Sequence, residues 1–579
     1  MIDLYRNAQL VRTTLTEHLS DDPVVLALQI SRRLPARLTI RPAAFVAKLM
    51  PNSGSLVALV ASRMAGDASG LERRFQLAIS APGAGRRTAA ADVALAAGRP
   101  DWADRFLAHG GRDSAKAAGT IARRQWYDGD MSGAVRTLGG GGRRVEGQRR
   151  RLAAELQVFQ GWTPSLPRRY EFVPQPSKVL HVLTNSLPHT GSGYAQRTHS
   201  ILLAQQAAGW ETLAVTRVGY PVQVGKVLAR DADMVDGVRY ERLLPFRLSP
   251  GRHGRLQQQA EMLLDVALRF RPCVLHTTTH FVNAIVTRAV ADALNIPWVY
   301  EVRGQLADTW ASTRGNAARG SERYRLFQER EAEAMRSANL VITLGDAMKE
   351  RIMAAGVDED AILIAPNAVG GDFLKEPGSP EDARLQLGLD PGGLYIGTVS
   401  SLVDYEGLDD LITAFGLLAP QFPTLKLLIV GDGSVRTSLQ SQVRELGLEH
   451  RAVFTGRVPR ERTPLYHQAL DVFVVPRKGL EVTRSVTPLK PVEAMASARP
   501  VVGSDLPALR EIIKDGVTGR LAVAGAPEIL AERLAEILTD HRLRIGYGEA
   551  GRCAVLDKRT WASNAEQYGI AYNNLRRAT

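Results

Sequence analysis

The chain has 579 residues and a formal charge of +13, with 45% hydrophobic, 23% charged and 6% aromatic residues, room for three or four domains that each bury a core. Two cysteines, Cys273 and Cys553, are too few and too far apart for a disulfide framework or a zinc site. The first residues lack the apolar stretch of a signal peptide, and no apolar run nears the roughly 20 residues of a membrane span. The expectation is a cytoplasmic protein, peripheral at the inner membrane face if its surplus charge is used there.

Residues 1–165 are Ala- and Arg-rich with helical periodicity. Helical runs end at Gly66, Gly98, Gly129 and Gly161, a spacing in the low thirties that predicts stacked helical hairpins, a solenoid like the tetratricopeptide arrays. An irregular bundle is the alternative. Such a block is a place for a protein partner to dock. Basic patches occur at Arg143-Arg144, Arg149-Arg150-Arg151 and Arg168-Arg169. They would attract an anionic membrane or a phosphorylated substrate; nucleic acid ranks last, because no aromatic platform or binding motif accompanies them.

A Pro-rich linker, 166–177, separates this block from strands alternating with helices, the mark of a parallel sheet. Over 178–370 strands are expected at Val179–Thr184, Thr212–Thr216, Val274–Thr277, Trp298–Val302, Leu340–Thr343 and Ile362–Ala365. A hinge at 371–390 leads to a second run over 391–557, with strands at Leu394–Val399, Lys426–Val430, Val453–Thr455, Val472–Val475, Val501–Gly503 and Gly519–Ala522. The last segment, 558–579, is an amphipathic helix able to cross back onto the first of these domains. The fold class is thus α/β, with two Rossmann-like domains facing a cleft and an all-α domain before them.

The stretch Ser485–Asp505 carries the most chemistry. It reads as a loop, a helix start with Pro488 near the first turn, and a buried strand. A helix start is a seat for a diphosphate; Lys490 adds a full charge, and Glu493, one turn on, can accept from the hydroxyls of a ribose. The plain alternative is an ordinary strand-to-helix connection with a solvated Lys and Glu.

The second run resembles glycosyltransferase family four of the GT-B fold, through Gly397–Leu408, Leu428-Ile-Val-Gly-Asp-Gly433, Val453-Phe-Thr-Gly-Arg-Val458, Asp471–Pro476 and Ser485–Asp505 in family order. Weaker matches in the first domain are the Gly191–Gly193 loop, Val274-Leu-His276, Tyr300-Glu-Val-Arg-Gly304, Val341–Asp346 and Ile364–Ala368. The Asp404-Tyr-Glu-Gly407 and Val486-Thr-Pro-Leu-Lys490 segments mark a variant subgroup. The resemblance implies a retaining transfer from a nucleotide-diphosphate sugar to a hydroxyl of a glycan or lipid-linked acceptor, with neither cofactor nor metal. It places Glu493 on the donor ribose, and Thr487, Pro488, Leu489 and Lys490 on the diphosphate. Gly191, Gly193, Ser400, Gly433 and Arg457 join them around the donor. Where the family usually has an Arg and a Lys on the diphosphate, this chain has Ser401 and Glu406; Arg477 and Lys478 are the expected replacements. Ser485 stands where a first glutamate is usual.

Arg303 is a candidate for clamping a phosphate or carboxylate, and His280 for positioning the acceptor or polarising the reacting centre. Each has a structural reading beside it: Arg303 paired with Glu301, and His280 as a satisfied buried ring. Asp231-Ala-Asp233 reads as a solvated turn rather than a metal site. The rival from another class is a non-catalytic scaffold that binds sugar nucleotides while the helical block recruits partners.

Overall fold

A computed structural model describes residues 2–21, 24, 28, 36–80, 83–110, 117–140 and 145–578. The Arg143-Arg144 patch lies outside them. Helices run through the described part of residues 1–160, among them Ala36–Leu49, Leu56–Ala65, Ala68–Ile79, Ala84–Ala96, Pro100–Gly110, Ala118–Asp128, Met131–Gly139 and Glu146–Phe159. Gly66, Gly98, Gly129 and Gly161 all adopt positive φ, between 74° and 113°, the left-handed turn that ends a helix at low steric cost in glycine. After Gly66 and Gly129 an aspartate starts the next helix: Asp67 and Asp130 each accept from the N–H of the glycine three residues on, at 2.8 Å. Phe75, Trp102 and Phe106, with ring centroids 5.4–5.7 Å apart, form a core for this block.

The first sheet has eight strands, β1 Lys178–Leu183, β2 Glu211–Thr216, β3 Ala232–Val235, β4 Val238–Arg242, β5 Val274–Thr278, β6 Trp298–Glu301, β7 Leu340–Thr343 and β8 Ile362–Ile364, in the order β3-β4-β2-β1-β5-β6-β7-β8. All pairings are parallel except β3 with β4. That hairpin corrects the reading of Asp231-Ala-Asp233 as a free turn. Asp236 and Gly237 take positive φ at its tip, as a two-residue hairpin turn requires. Asp233 pairs with Arg242 at 2.8 Å and His189 at 3.1 Å, and Asp231 with Arg6 at 2.7 Å.

The second sheet is parallel throughout: β9 Leu394–Val399, β10 Leu425–Val430, β11 Ala452–Gly456, β12 Val472–Val475, β13 Val501–Ser504 and β14 Gly519–Ala522, ordered β11-β10-β9-β12-β13-β14. Strand order reverses between β9 and β12, and ligands of such sheets bind at the carboxyl ends beside that reversal. Loops leaving the carboxyl ends of both sheets meet: Glu511 accepts from the Ala347 N–H at 2.8 Å, and Arg351 reaches Glu481 at 3.3 Å.

The C-terminal helix Trp561–Ala578 lies against helix Gly193–Ala207 of the first sheet's domain, where the Tyr572 hydroxyl accepts from Gln205 Nε2 at 3.0 Å. The helical block is joined to the same domain: Phe159 packs on Phe281 and Phe327 at 5.3 and 5.6 Å, and Asn7 donates to the Ala229 carbonyl at 2.8 Å. Arg168 and Arg169 line a cavity of about 440 Å³ with Tyr170 and Arg576, at the amino edge of the sheet. Among the described residues no helix is long and apolar enough to cross a membrane.

Candidate active site

The site is built on the ends of β9 and β12. Gly407, at φ 68°, lets the loop after β9 turn back so closely that a Cβ there would overlap the Pro476 carbonyl oxygen. This brings Glu406, 4% exposed, beneath the end of β12. Its carboxylate meets Arg477 Nη2 at 3.1 Å and Lys490 Nζ at 3.0 Å. Burial works to raise the Glu406 pKa, but the two cations outweigh it and hold it down at about 2. Lys490 is pushed below the ordinary lysine range, mainly by burial and further by Arg477, against the pull of Glu406. Arg477 and Lys490 thus flank one buried anion, and the Glu493 carboxylate also acts on Lys490. A Gly407→Ala variant should lose at least about 1–2 kcal/mol, the cost of a left-handed Ala. It should also displace Glu406, read as a lower melting temperature with weaker donor binding.

The Glu406 carboxylate is thus counter-charged on two sides and holds both cations in place. Of the two expected replacements, Arg477 turns inward, its Nη1 also donating to the Val486 carbonyl at 2.8 Å. Lys478 does not join it. Its ammonium lies 2.8 Å from Asp409 and 2.7 Å from Asp410, so it brings no free charge to a diphosphate.

Thr487 is 2% exposed and its Oγ1 is buried without a hydrogen-bond partner in the protein. Helix Lys490–Ala496 starts at Leu489 with Pro491 in its first turn, so Pro488 lies in the loop before the helix and not within it. Glu493, in that first turn, is partly exposed and stands 3.7 Å from Nε2 of the fully buried His467. Neither nitrogen of His467 has a hydrogen-bond partner. Ser485 bonds its own helix, donating to the Glu481 carbonyl at 3.0 Å. At the margins, Ser400 is buried with its N–H on the Val430 carbonyl at 2.8 Å. A Cβ on Gly433 would overlap the Leu402 carbonyl, and Arg457 is exposed beyond the end of β11.

Across the cleft, a Cβ on Gly191 meets nothing nearer than 3.9 Å and one on Gly193 nothing within 4 Å, so the space before this loop is open. Arg303 is 4% exposed and engaged inside the protein, with Glu301 at 2.5 Å and Thr198 at 2.6 Å. The fully buried Glu301 also takes Arg197 at 2.8 Å, His276 at 3.2 Å and the Tyr568 hydroxyl at 3.3 Å. Arg197 in turn donates to Asn367 Oδ1 at 3.0 Å, and Asn367 Nδ2 to the Thr487 carbonyl at 2.8 Å. One chain of polar contacts thus runs from the C-terminal helix through Glu301 to the loop bearing Thr487. His280 caps helix Phe281–Leu294, accepting from the Val282 N–H at 3.3 Å, and stacks on Phe327 at 4.9 Å; burial brings its pKa down to about 3, so the ring is neutral.

Two family profiles match in succession: the glycosyl transferase 4-like domain over residues 192–368 and the glycosyl transferases group 1 domain over 380–553. The pair of domains is that of the group 1 glycosyltransferases. A GDP-mannose-dependent α-(1-6)-phosphatidylinositol monomannoside mannosyltransferase of Mycolicibacterium smegmatis is 28% identical over 42% of this chain and 64% of its own length. The 2-deoxystreptamine glucosyltransferase of Streptomyces kanamyceticus is 30% identical over 38% and 56%. The phosphatidyl-myo-inositol mannosyltransferase of Mycobacterium leprae is 34% identical over 40% and 59%. These matches therefore leave more than a third of each relative unmatched. Among solved structures, the sucrose-phosphate synthase of Thermosynechococcus elongatus superimposes on 69% of this chain and 100% of its own with a TM-score of 0.58 at 21% identity. The Anabaena protein HepE, in complex with UDP and glucose, covers 69% and 99% with a TM-score of 0.54 at 17% identity. These two share the fold of this chain's two α/β domains.

Proposed function

We propose that this chain is a retaining glycosyltransferase that moves a sugar from a nucleotide-diphosphate donor to a hydroxyl of a glycan or lipid-linked acceptor, in the synthesis of a cell-surface polysaccharide or glycoconjugate. The observation that carries the reading is the Glu406–Arg477–Lys490 cluster beside the unpartnered Thr487 hydroxyl. A leaving diphosphate gains charge as the glycosidic bond breaks, and fixed cations and donors aimed at that charge lower the barrier. Arg477 and Lys490 supply positive charge without a metal, Thr487 Oγ1 donates to a phosphate oxygen, and Glu493 accepts from the donor ribose. The open loop at Gly191 and Gly193 leaves room for the transferring sugar and the acceptor.

Two broader elements belong to the same proposal. The repeated glycine-ended helices form a repeat domain that docks a partner, and the basic surface lets the enzyme work beside an anionic membrane from the cytoplasmic side. The names of two relatives, mannosyltransferases of phosphatidyl-myo-inositol and of phosphatidylinositol monomannoside, support the choice of a lipid-linked acceptor. Incubation with a panel of UDP- and GDP-sugars should give slow donor hydrolysis with at least one of them. Tight binding without turnover on any donor or acceptor would favour the scaffold.

A further inference from the structure

Among the described residues, His467 is the one histidine whose two ring nitrogens are both buried without a hydrogen-bond partner. The ring is 0% exposed, and its aromatic neighbours are Phe473 at 5.1 Å and Phe373 at 5.8 Å between centroids. A neutral imidazole always carries one N–H, and burying that donor unpaired is costly. The ring therefore needs an acceptor close by.

Glu493 is the complementary group. Its carboxylate accepts no hydrogen bond among the described residues, and its Oε2 stands 3.7 Å from His467 Nε2. Lys490, in the same first turn, has its ammonium on Glu406 at 3.0 Å. The two side chains come from elements on either side of β12 in the chain, helix Thr463–Gln468 before it and helix Lys490–Ala496 after it. Both backbones are anchored: the His467 carbonyl accepts from the Leu470 N–H at 3.2 Å, and the Glu493 carbonyl from the Ser497 hydroxyl at 3.0 Å. Closing the gap to a hydrogen bond of about 3 Å takes less than about 1 Å of carboxylate movement. A partly exposed carboxylate with a buried donor behind it is oriented before its ligand arrives.

We propose that His467 is a positioning residue for nucleotide recognition: with a nucleoside diphosphate bound, its Nε2–H donates to Glu493 Oε2 and leaves the other carboxylate oxygen for the ribose hydroxyls. The inference rests on the reading of Glu493 as the acceptor for the donor ribose and deepens it. The pair selects ribose over a sugar that lacks those hydroxyls, because a carboxylate held in place meets them without first ordering itself.

The test is calorimetric titration of the full chain with UDP, GDP and their 2′,3′-dideoxy counterparts. With whichever ribonucleotide binds, the parent should prefer it to its dideoxy counterpart by about ten-fold or more, the worth of a hydrogen bond to a charged group. His467→Phe, which fills the space without a donor, should cut that preference by about three-fold or more. It should do so by weakening the ribonucleotide while the dideoxy compound binds as before. His467→Gln, whose amide reaches as far as Nε2, should restore most of the preference. A residue that only packs the core would shift both nucleotides together, so an unchanged preference in folded His467→Phe overturns the proposal. Glu493→Ala separates the proposal from the reading beneath it. A preference lost there but kept in His467→Phe removes His467 alone, whereas one that survives Glu493→Ala removes the ribose role of Glu493 and that of His467 with it. Should His467→Phe fail to fold, His467→Asn, whose amide is too short to reach Glu493, carries the same comparison against His467→Gln.

Discussion

Replacing Glu301 by alanine should lower the stability of the chain by about 3–5 kcal/mol, the range for removing one partner of a buried charge network. Arg197 and Arg303, both 4% exposed, would be left facing each other without the carboxylate between them. The Tyr568 hydroxyl would lose an acceptor as well, which loosens the C-terminal helix. Denaturant unfolding should show the lost stability, and limited proteolysis should cut sooner within 561–578. Glu301→Gln keeps the shape and loses the charge, so it should fall between. The Glu301 carboxyl is held well below its usual range: burial opposes ionisation, but Arg303 and Arg197 outweigh it. A depressed folded pKa gives stability that is fully present above the ordinary carboxylate pKa and is lost as pH falls through the folded value. The Glu301→Ala deficit should therefore be complete at neutral pH and shrink in acid. A variant as stable as the parent at pH 7 would show that the network does not hold the domain together.

The second large effect is on turnover. Lys490→Ala should cut donor turnover by roughly 10²–10³-fold, as for loss of one preorganised donor to a developing negative charge, with the melting temperature little changed. Arg477→Ala should cost as much or more, because it removes a guanidinium and leaves Glu406 with Lys490 alone. Because burial lowers the Lys490 pKa, turnover should fall on the alkaline side at a pH below the ordinary lysine range. Lys490→Arg should move that limb upward. A parent enzyme whose turnover survives Lys490→Ala would point away from a charge-stabilised leaving group at this turn.

Much of this arrangement was legible in the sequence. β9, β10, β12 and β13 are short apolar runs closed by Gly, Pro or polar turns, and strands buried on both faces read that way. The β3–β4 hairpin escaped because β3 is four residues long and half-exposed, and β4 buries only alternate residues, Val238, Tyr240 and Arg242; Asp236-Gly237 marks its turn. Lys490 and Glu493 stand out by their place after a loop and before a buried strand. The direction of Lys478 is not a local property: Asp409 and Asp410, 69 and 68 residues away, decide it. Glu301 gains its weight from Arg197, 104 residues away, and Tyr568, 267 away. Pairings over such distances leave no periodic trace, so the strut that fixes Arg303 appears once the chain is folded. His467 is similar: its tie to Glu493 comes from packing of helix Thr463–Gln468 and not from any motif.

The most direct test is a crystal structure of the chain soaked with UDP or GDP. The pyrophosphate should lie against Arg477, Lys490 and the Thr487 hydroxyl at the ends of β9 and β12, with the ribose on Glu493. A nucleotide bound elsewhere, or a Lys490 still fixed on Glu406 with the nucleotide out of reach, would contradict the donor site described above.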